Sequence, residues 1–308
     1  MVVKTGSNEL LITLKGFNMP ERKFEIDNEE YPFTSHWFER NGTPMHYLDE
    51  GEGVPVVFCH GNPTWSFLYR NIIKELSGEC RCIAHDLPGF GFSEHPPGYG
   101  YTPQEHAEWL EDFLIGHLKL EKFILVVQDW GGPTGLTVAT KYPDRVLGVV
   151  ISSTWAWKAS GTGYVFSKLM GNPLARQLIL KKNFFAKTLV PKLLGEGSNN
   201  SAIRQAYTAP FPTPDSRMGT AEFPKQITAA APWLEELESR LHKLKDKPVE
   251  FVFGLKDLMS KPADIDKWLS HFPDANVQKI PDANHYTQED CPENYVIAVR
   301  SILKKVAE

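Results

Sequence analysis

The feature that most constrains the fold is a regular alternation of short apolar runs with longer amphipathic stretches. The apolar runs are bounded by turn residues, which is typical of buried strands. They cover residues 54–60, 81–86, 123–129, 146–153, 248–254 and 276–280. Helical spacing of apolar residues predicts helices over residues 65–76, 102–117, 131–141, 263–271 and 293–306. Because such alternation produces a mainly parallel sheet with helices on both faces, the sequence predicts an α/β fold.

This alternation is interrupted once. From Trp155 to Leu234 no strand pattern is present, and helical stretches are broken by glycine and proline. We therefore expect a core domain formed by residues 1–154 and 235–308, with residues 155–234 inserted as a helical cap domain. Ligands in open α/β sheets bind beyond the carboxyl ends of the strands, so the cap is expected to cover the binding site.

Composition narrows the classes of partner and the cellular location. The 308 residues carry a formal charge of −5, which argues against a nucleic acid or an anionic membrane as partner. No run approaches the roughly 20 apolar residues of a membrane span, and Met1–Phe17 lacks a signal-peptide pattern. Four scattered cysteines do not make a disulfide framework. The expectation is a soluble, cytoplasmic protein.

One strand-to-helix junction carries a candidate nucleophile. The segment Val127-Gln-Asp-Trp-Gly-Gly132 is similar to the nucleophile elbow of α/β-hydrolases, usually Gly-x-Ser-x-Gly, with Asp129 in place of serine. A sharp turn holds such a side chain clear of the backbone, and the helix N-terminus stabilises negative charge. Val127 departs from the pattern, where glycine is usual. The alternative is an aspartate that only caps a helix.

Two further residues fit the order nucleophile, acid, histidine that these enzymes share. His285 follows the last predicted strand, and Asp257 follows the strand before it. The earlier possible position of the acid, after residues 146–153, offers no carboxylate. Taken singly, His285 is better explained as a solvated histidine and Asp257 as a turn former. Because all three lie in order at strand ends, we predict a catalytic triad of Asp129, Asp257 and His285.

Four segments together resemble the haloalkane dehalogenases, in which the helical cap follows the sixth strand. They are the elbow, His60-Gly-Asn-Pro-Thr-Trp-Ser-Phe-Leu-Tyr-Arg70, Asp86-Leu-Pro-Gly-Phe-Gly-Phe-Ser93 and Pro210-Phe-Pro-Thr-Pro-Asp-Ser-Arg217. The similarity runs from about Trp37 to the C-terminus, and residues 1–30 are an extension without an assigned role. Epoxide hydrolases share the elbow and the Asp86 loop but usually carry an aromatic residue where Asn62 stands. Asn62 combined with an acid in the later position resembles one subgroup of the dehalogenases.

This resemblance implies a mechanism without metal or organic cofactor. Asp129 attacks the carbon that bears the halogen and forms a covalent alkyl ester, while Trp130 and Asn62 hold the departing halide through side-chain N–H groups. His285 then activates a water molecule, and Asp257 orients the imidazole. The backbone N–H groups of Asn62 and Trp130 form the oxyanion hole. The partners are a small apolar halogenated substrate, halide and water.

The pocket walls and two rival functions follow from less specific signals. We expect substrate-facing side chains among Trp65, Phe166, Phe185, Phe211 and Leu258, although each taken singly is better explained by plain packing. An epoxide hydrolase, the nearest rival, needs cap tyrosines that protonate the opening oxygen, and the cap contains Tyr164 and Tyr207. A non-catalytic ligand receptor on the same fold is the rival from another class.

Overall fold

Eight strands form one twisted sheet in the computed structural model, which describes residues 20–308. The strands are β1 (His36–Arg40), β2 (Thr43–Glu50), β3 (Pro55–Cys59), β4 (Arg81–His85), β5 (Phe123–Gln128), β6 (Val146–Ser152), β7 (Val249–Gly254) and β8 (Asn276–Ile280). Their order across the sheet is β1-β2-β4-β3-β5-β6-β7-β8. All pairs from β4 to β8 are parallel, which confirms the predicted fold. The antiparallel pairs β1–β2 and β2–β4 at one edge were not predicted.

Twelve α-helices lie within residues 20–308. They are α1 (Arg70–Leu76), α2 (Pro103–Glu111), α3 (Gly131–Lys141), α4 (Gly161–Met170), α5 (Pro173–Lys182), α6 (Val190–Leu193), α7 (Ser201–Thr208), α8 (Met218–Ala229), α9 (Ala231–Arg240), α10 (Pro262–His271), α11 (Thr287–Asp290) and α12 (Pro292–Ala307). Two predicted helices have irregular ends: a 3₁₀ turn at Ser66–Tyr69 precedes α1, and a π-type turn at Asp112–His117 follows α2.

The start of α2 shows how the sequence sets a helix boundary. Thr102 Oγ1 accepts a hydrogen bond from the backbone N–H of Glu105 (3.3 Å), and the Glu105 carboxylate accepts one from the Thr102 backbone N–H (3.0 Å). Pro103 occupies the first helical position, where its missing N–H leaves no donor unpaired. These reciprocal bonds form a capping box that fixes the beginning of the helix.

The sheet is covered on both faces, and β5 lies at its centre. All six residues of β5 are buried. Ile124 and Val126 pack into one apolar layer, and Leu125 and Val127 pack into the opposite layer. Burying each aliphatic side chain contributes about 1.5–3 kcal/mol. The strand that ends at the candidate nucleophile is therefore anchored from both sides.

The segment between β6 and β7 contains helices joined by loops and no strand, and we call residues 155–234 the cap. Helices α4 and α5 both pack against α8. A buried polar link joins α7 to the core: the Tyr207 hydroxyl donates to the Glu289 carboxylate (2.5 Å), which also accepts two hydrogen bonds from Arg70 (2.6 and 3.0 Å). These contacts fix the cap relative to the end of the sheet that carries the candidate site.

Within residues 20–308, none of the helices combines the length and the apolar character needed to cross a bilayer. The expectation about a signal peptide concerns Met1–Phe17, which lies outside the described residues.

Candidate active site

Asp129 lies in a sharp turn between β5 and α3. Its φ of +49° is in the left-handed region, which non-glycine residues seldom adopt. Glycines next to the turn make it possible: a Cβ atom at Gly131 would overlap the backbone carbonyl of Cys59, and one at Gly61 would overlap the Asp129 carboxylate. Strained backbone of this kind is concentrated at functional sites. The elbow seen in the sequence is therefore present, although Val127 replaces its first glycine.

The Asp129 carboxylate is largely buried, with 14% of the side chain exposed, and it is held by backbone donors. The backbone N–H of Asn62 donates to Asp129 Oδ1 (2.7 Å). Burial raises the pKa of Asp129 above its ordinary value, while His285 and the backbone N–H groups of Asn62 and Trp130 partly offset that rise. A carboxylate with little hydration and two fixed N–H donors is a suitable nucleophile for an apolar electrophile.

His285 connects the two carboxylates predicted for the triad. Its Nδ1 lies 3.0 Å from Asp257 Oδ2, and its Nε2 lies 3.8 Å from Asp129 Oδ2. Burial alone lowers the pKa of His285, but the carboxylates of Asp257 and, to a lesser extent, Asp129 outweigh it, so the pKa stands above its ordinary value. The sequence-predicted residues Asp129, Asp257 and His285 thus meet beyond the carboxyl ends of β5, β7 and β8.

Asp257 is fixed by contacts of its own. Its Oδ1 accepts a hydrogen bond from the backbone N–H of Met259 (2.7 Å). Burial raises the pKa of Asp257, but the nearby His285 and this N–H group lower it by more, so the carboxyl group has a pKa below its ordinary value. The side chain therefore stays ionised at neutral pH and can stabilise an imidazolium.

Gln128 contacts the same imidazole, which the sequence did not predict. Its side-chain nitrogen lies 3.0 Å from His285 Nε2, and among residues 20–308 its buried carbonyl oxygen has no hydrogen-bond partner. The sequence feature that could have indicated Gln128 is its position as the polar last residue of an otherwise apolar strand. The amide restrains the ring nitrogen that faces the nucleophile.

A cavity of about 760 Å³ opens beside these groups, within the range of sites for small organic ligands. Phe166, Phe185 and Leu258 line it, as expected. Trp65 and Phe211 do not, which corrects the prediction. Both are buried in packing instead: the Trp65 indole N–H donates to the Ala206 carbonyl (3.2 Å), and Phe211 belongs to an aromatic cluster in the core–cap interface.

Further apolar walls were missed because they lie on cap helices and on the loop after β6. They are Trp155, Trp157, Val165, Leu169, Leu189 and Ile227. The wall residues on the helices have the same spacing as ordinary core residues, so the sequence gives no sign of which helix face meets the cavity.

Two neutral N–H donors face the cavity beside Asp129. Asn62 and Trp130 both line it, and within residues 20–308 neither the Asn62 amide nitrogen nor the Trp130 indole nitrogen donates to a protein acceptor. The Trp130 ring is held edge-to-face against Trp155 (4.9 Å between centroids) and stacked on Phe223 (5.0 Å). This arrangement leaves two directed, uncharged donors for an anion beside Asp129.

Neither of the cap tyrosines required by the epoxide-hydrolase hypothesis lies among the cavity walls. Tyr164 is on the outer surface of α4, with 47% of its area exposed. Tyr207 is fully buried, and its hydroxyl is engaged by Glu289. The two tyrosines that the epoxide-hydrolase hypothesis named therefore do not line the described part of the cavity, although Tyr286 does.

Comparisons with known proteins agree with this geometry. Residues 54–292 match the α/β hydrolase fold family. The chain is 43% identical over 279 residues to haloalkane dehalogenase 2 of Mycobacterium tuberculosis, a match that covers 90% of this chain and 97% of the relative. It is 32% identical to the cis-3-alkyl-4-alkyloxetan-2-one decarboxylase of Shewanella oneidensis, over 88% of this chain and 89% of the relative.

Solved structures give the same relationship. The haloalkane dehalogenase DatA from Agrobacterium tumefaciens superimposes with a TM-score of 0.79 at 25% identity, over 89% of this chain and 97% of that one. The haloalkane dehalogenase DbeA from Bradyrhizobium elkani superimposes with a TM-score of 0.77 at 26% identity, over 89% of this chain and 98% of that one. The chain belongs to the haloalkane dehalogenase family of the α/β-hydrolase fold.

Proposed function

We propose that the protein hydrolyses carbon–halogen bonds of haloalkanes to an alcohol, a halide ion and a proton. The observation that carries this proposal is the largely buried Asp129 carboxylate, which faces a mainly apolar cavity beside two neutral N–H donors. A carboxylate can displace halide from saturated carbon, and a halide leaving group needs hydrogen-bond donors but no proton.

In the first step, Asp129 attacks the carbon that bears the halogen from the side opposite the carbon–halogen bond. The electron pair of that bond leaves with the halide, and an alkyl ester of Asp129 forms. The Asn62 amide and the Trp130 indole N–H groups hold the halide. Neutral donors suit this role because they stabilise developing charge without binding the free ion as tightly as a lysine would.

In the second step, His285 removes a proton from a water molecule that attacks the ester carbonyl carbon of Asp129. Asp257 orients the imidazole and stabilises its cation. The tetrahedral oxyanion is stabilised by the backbone N–H groups of Asn62 and Trp130, of which the Asn62 group already lies 2.7 Å from the carboxylate. Collapse of this intermediate releases the alcohol and restores Asp129.

The remaining assignments belong to the same proposal. Residues 155–234 form a cap domain on a core of residues 1–154 and 235–308, and the cap supplies substrate-facing walls such as Phe166 and Phe185. The proposed location is the cytoplasm, supported by four cysteines that are all buried free thiols.

The first test is release of halide and protons from bromo- and chloroalkanes by the purified protein. Asp129→Ala should reduce turnover about 10⁴-fold or more. His285→Gln should instead leave the alkyl ester in place, because alkylation does not need the base. An increase in intact mass equal to the alkyl group would reveal it. Undiminished halide release by Asp129→Ala would contradict the mechanism.

A second candidate is decarboxylation of an oxetan-2-one that carries two alkyl groups. It is favoured by the relatives of that name from Shewanella oneidensis and Xanthomonas campestris, which are 32% and 33% identical to this chain. The strained lactone ring is also an electrophile that a buried carboxylate can attack, and the cavity has room for two alkyl groups.

The two candidates give different products from different substrates. Haloalkanes yield alcohol and halide, whereas an oxetan-2-one that loses carbon dioxide yields an alkene. Both substrates should be given to the protein in parallel, with styrene oxide as the probe of epoxide hydrolysis. Alkene formation far faster than halide release would favour the second candidate, and diol formation would restore the epoxide hypothesis.

A further inference from the structure

The charge of this protein is segregated between its two parts. Residues 155–234 contain ten lysines and arginines but three aspartates and glutamates, whereas the whole chain contains 33 and 38. The cap therefore carries a formal charge of +7 and the remainder −12. The whole-chain charge of −5, which argues against an anionic membrane, conceals a basic segment.

The cap also exposes several large apolar side chains on two consecutive helices. Residues 20–308 contain eight large hydrophobic side chains that are exposed, and five of them lie on the consecutive helices α4 and α5. We call these five the apolar cap face: Tyr164, Val165, Leu169, Leu174 and Leu178. Leu174 is 84% exposed and Leu169 62%. Single exposed apolar residues are ordinary, but a group of them on adjoining helices is typical of an interaction surface.

The apolar cap face continues into the catalytic cavity. Val165 and Leu169 belong to both, since each lines the cavity and is more than half exposed. Leu258, which also lines the cavity, is 63% exposed. An apolar molecule resting on α4 can therefore move towards Asp129 along apolar side chains.

Exposed lysines lie on the same two helices and in the segment that follows them. Lys168, Lys181 and Lys182 are exposed on α4 and α5, and Lys187 and Lys192 are exposed further along the chain. Over residues 20–308, none of the five has a carboxylate oxygen within 4.0 Å, in contrast to Lys158 and Lys225 elsewhere in the cap. An apolar surface whose lysines have no carboxylate partner among residues 20–308 has the composition of helices that lie on anionic membranes.

We propose that α4 and α5 dock the protein on the surface of an anionic lipid bilayer, from which apolar substrates enter the cavity. The docking rests on the charges and exposed side chains just described, whereas the entry of substrates rests on the function proposed above. A second copy of the chain fits less well, because a twofold contact through this face would bring two basic surfaces together. A bilayer both supplies negative charge and dissolves apolar substrates.

The test is co-sedimentation of the full-length protein with vesicles of phosphatidylcholine, with and without phosphatidylglycerol. We expect binding to the vesicles that contain phosphatidylglycerol, and we expect it to weaken as salt is raised. Lys181→Glu with Lys182→Glu should weaken binding at least tenfold, because each basic residue near an anionic surface contributes about fivefold. Leu174→Ser with Leu178→Ser should also weaken it.

Matched controls lie on the core. Lys279→Glu with Lys304→Glu makes the same change in charge at exposed positions outside the cap, and Ile297→Ser removes an apolar side chain that is 55% exposed on α12. These variants should bind as the unaltered protein does. Equal binding by cap and core variants, or no binding to phosphatidylglycerol, would overturn the proposal. A dimer in solution that Leu174→Ser with Leu178→Ser dissociates, without vesicle binding, would assign the surface to a second copy.

Activity separates this proposal from the proposed function. The Lys181→Glu, Lys182→Glu variant should hydrolyse a water-soluble bromoalkane in buffer as fast as the unaltered protein. It should hydrolyse a long-chain bromoalkane dissolved in phosphatidylglycerol vesicles at least tenfold more slowly. Vesicle binding without turnover of either substrate would refute the proposed function and leave the docking surface standing. Equal loss of both activities would refute delivery from the bilayer.

Discussion

At the scale of single residues, the His285 imidazole is influenced from two sides in opposite directions. Asp257 at Nδ1 stabilises the cation and raises the pKa of the ring. An amide N–H of Gln128 at Nε2 would favour the neutral ring, since a hydrogen bond donated to that lone pair is lost on protonation. Hydrolysis of the alkyl ester requires the neutral ring, so both contacts should set the pH at which this step begins.

This opposition leads to a paired prediction for ester hydrolysis. Asp257→Asn should lower the pKa of His285. The rise in rate on the acid side of the pH–rate profile, which we call the acid limb, should therefore move to lower pH, while the maximal rate falls about 10⁴-fold. Gln128→Leu should raise that pKa and move the limb to higher pH. Single-turnover rates of ester hydrolysis between about pH 5 and 9 measure both effects. Movement of the two limbs in the same direction would contradict the assigned contacts.

Asn62 has two roles that substitution can separate. Its side chain faces the cavity as a donor for halide, while its backbone N–H contacts the Asp129 carboxylate. Asn62→Ala removes the first and keeps the second. We expect alkylation to slow about 10²–10³-fold while ester hydrolysis changes little. Rapid-quench kinetics resolve the two steps. If ester hydrolysis slowed more than alkylation, the assignment of the Asn62 side chain to the alkylation step would be contradicted.

At the scale of secondary-structure elements, burial decides what the sequence could predict. The central strands were predicted to within a residue or two because a strand buried on both faces must be a continuous apolar run. Strand β1 was missed because it lies at the edge of the sheet and buries only Phe38 among its five residues. Trp65 and Phe211 were misplaced because an aromatic side chain does not reveal which side of a loop it packs on.

The buried link between α7 and the core gives a prediction about stability. Tyr207→Phe removes the hydroxyl that donates to the Glu289 carboxylate, while Arg70 still satisfies that carboxylate. We expect a loss of about 1.5–3 kcal/mol in the free energy of unfolding. Urea unfolding measures this change. Haloalkane turnover should be retained, because Tyr207 does not line the cavity. Loss of turnover in a variant that still folds would indicate that Tyr207 takes part in the reaction.

At the scale of the whole molecule, buried carboxylates set the response to acid. Asp86 accepts hydrogen bonds from the backbone N–H groups of Ser66 (2.7 Å) and Phe92 (2.9 Å) and lies 2.9 Å from His46. Burial raises the pKa of Asp86, but His46, His60 and the backbone N–H group of Ser66 lower it by more, so the net pKa is below the ordinary value. Asp257 behaves in the same way. A depressed carboxyl pKa stabilises the folded state above the unfolded pKa, and this contribution is lost as pH falls.

We therefore expect the free energy of unfolding to decrease as pH drops below about 4. Asp86→Asn should cost about 3–5 kcal/mol at neutral pH and reduce the dependence on pH below that point. Urea unfolding at a series of pH values, with the unaltered protein beside the variant, provides the measurement. An unchanged slope in the variant would show that other carboxylates dominate acid unfolding.

The candidate site was partly predictable for a reason that applies to the whole fold. The order Asp129, Asp257, His285 is visible in the chain because parallel strands end at one edge of the sheet. The contact of Gln128 with His285 depends on side-chain positions that no spacing rule gives. The exposure of Leu174 and its neighbours depends on which cap faces remain uncovered after packing, which is likewise a property of the folded chain.

The division between core and cap also bears on how this protein can change over generations. Residues proposed for bond breaking, Asn62, Asp129, Asp257 and His285, are scattered over more than two hundred positions, whereas many wall residues lie in one uninterrupted stretch between β6 and β7. If that single stretch were exchanged between related genes, the substrate preference would change while the residues that carry out the reaction stayed the same. Substrate preference can therefore diverge quickly among relatives that keep the same chemistry.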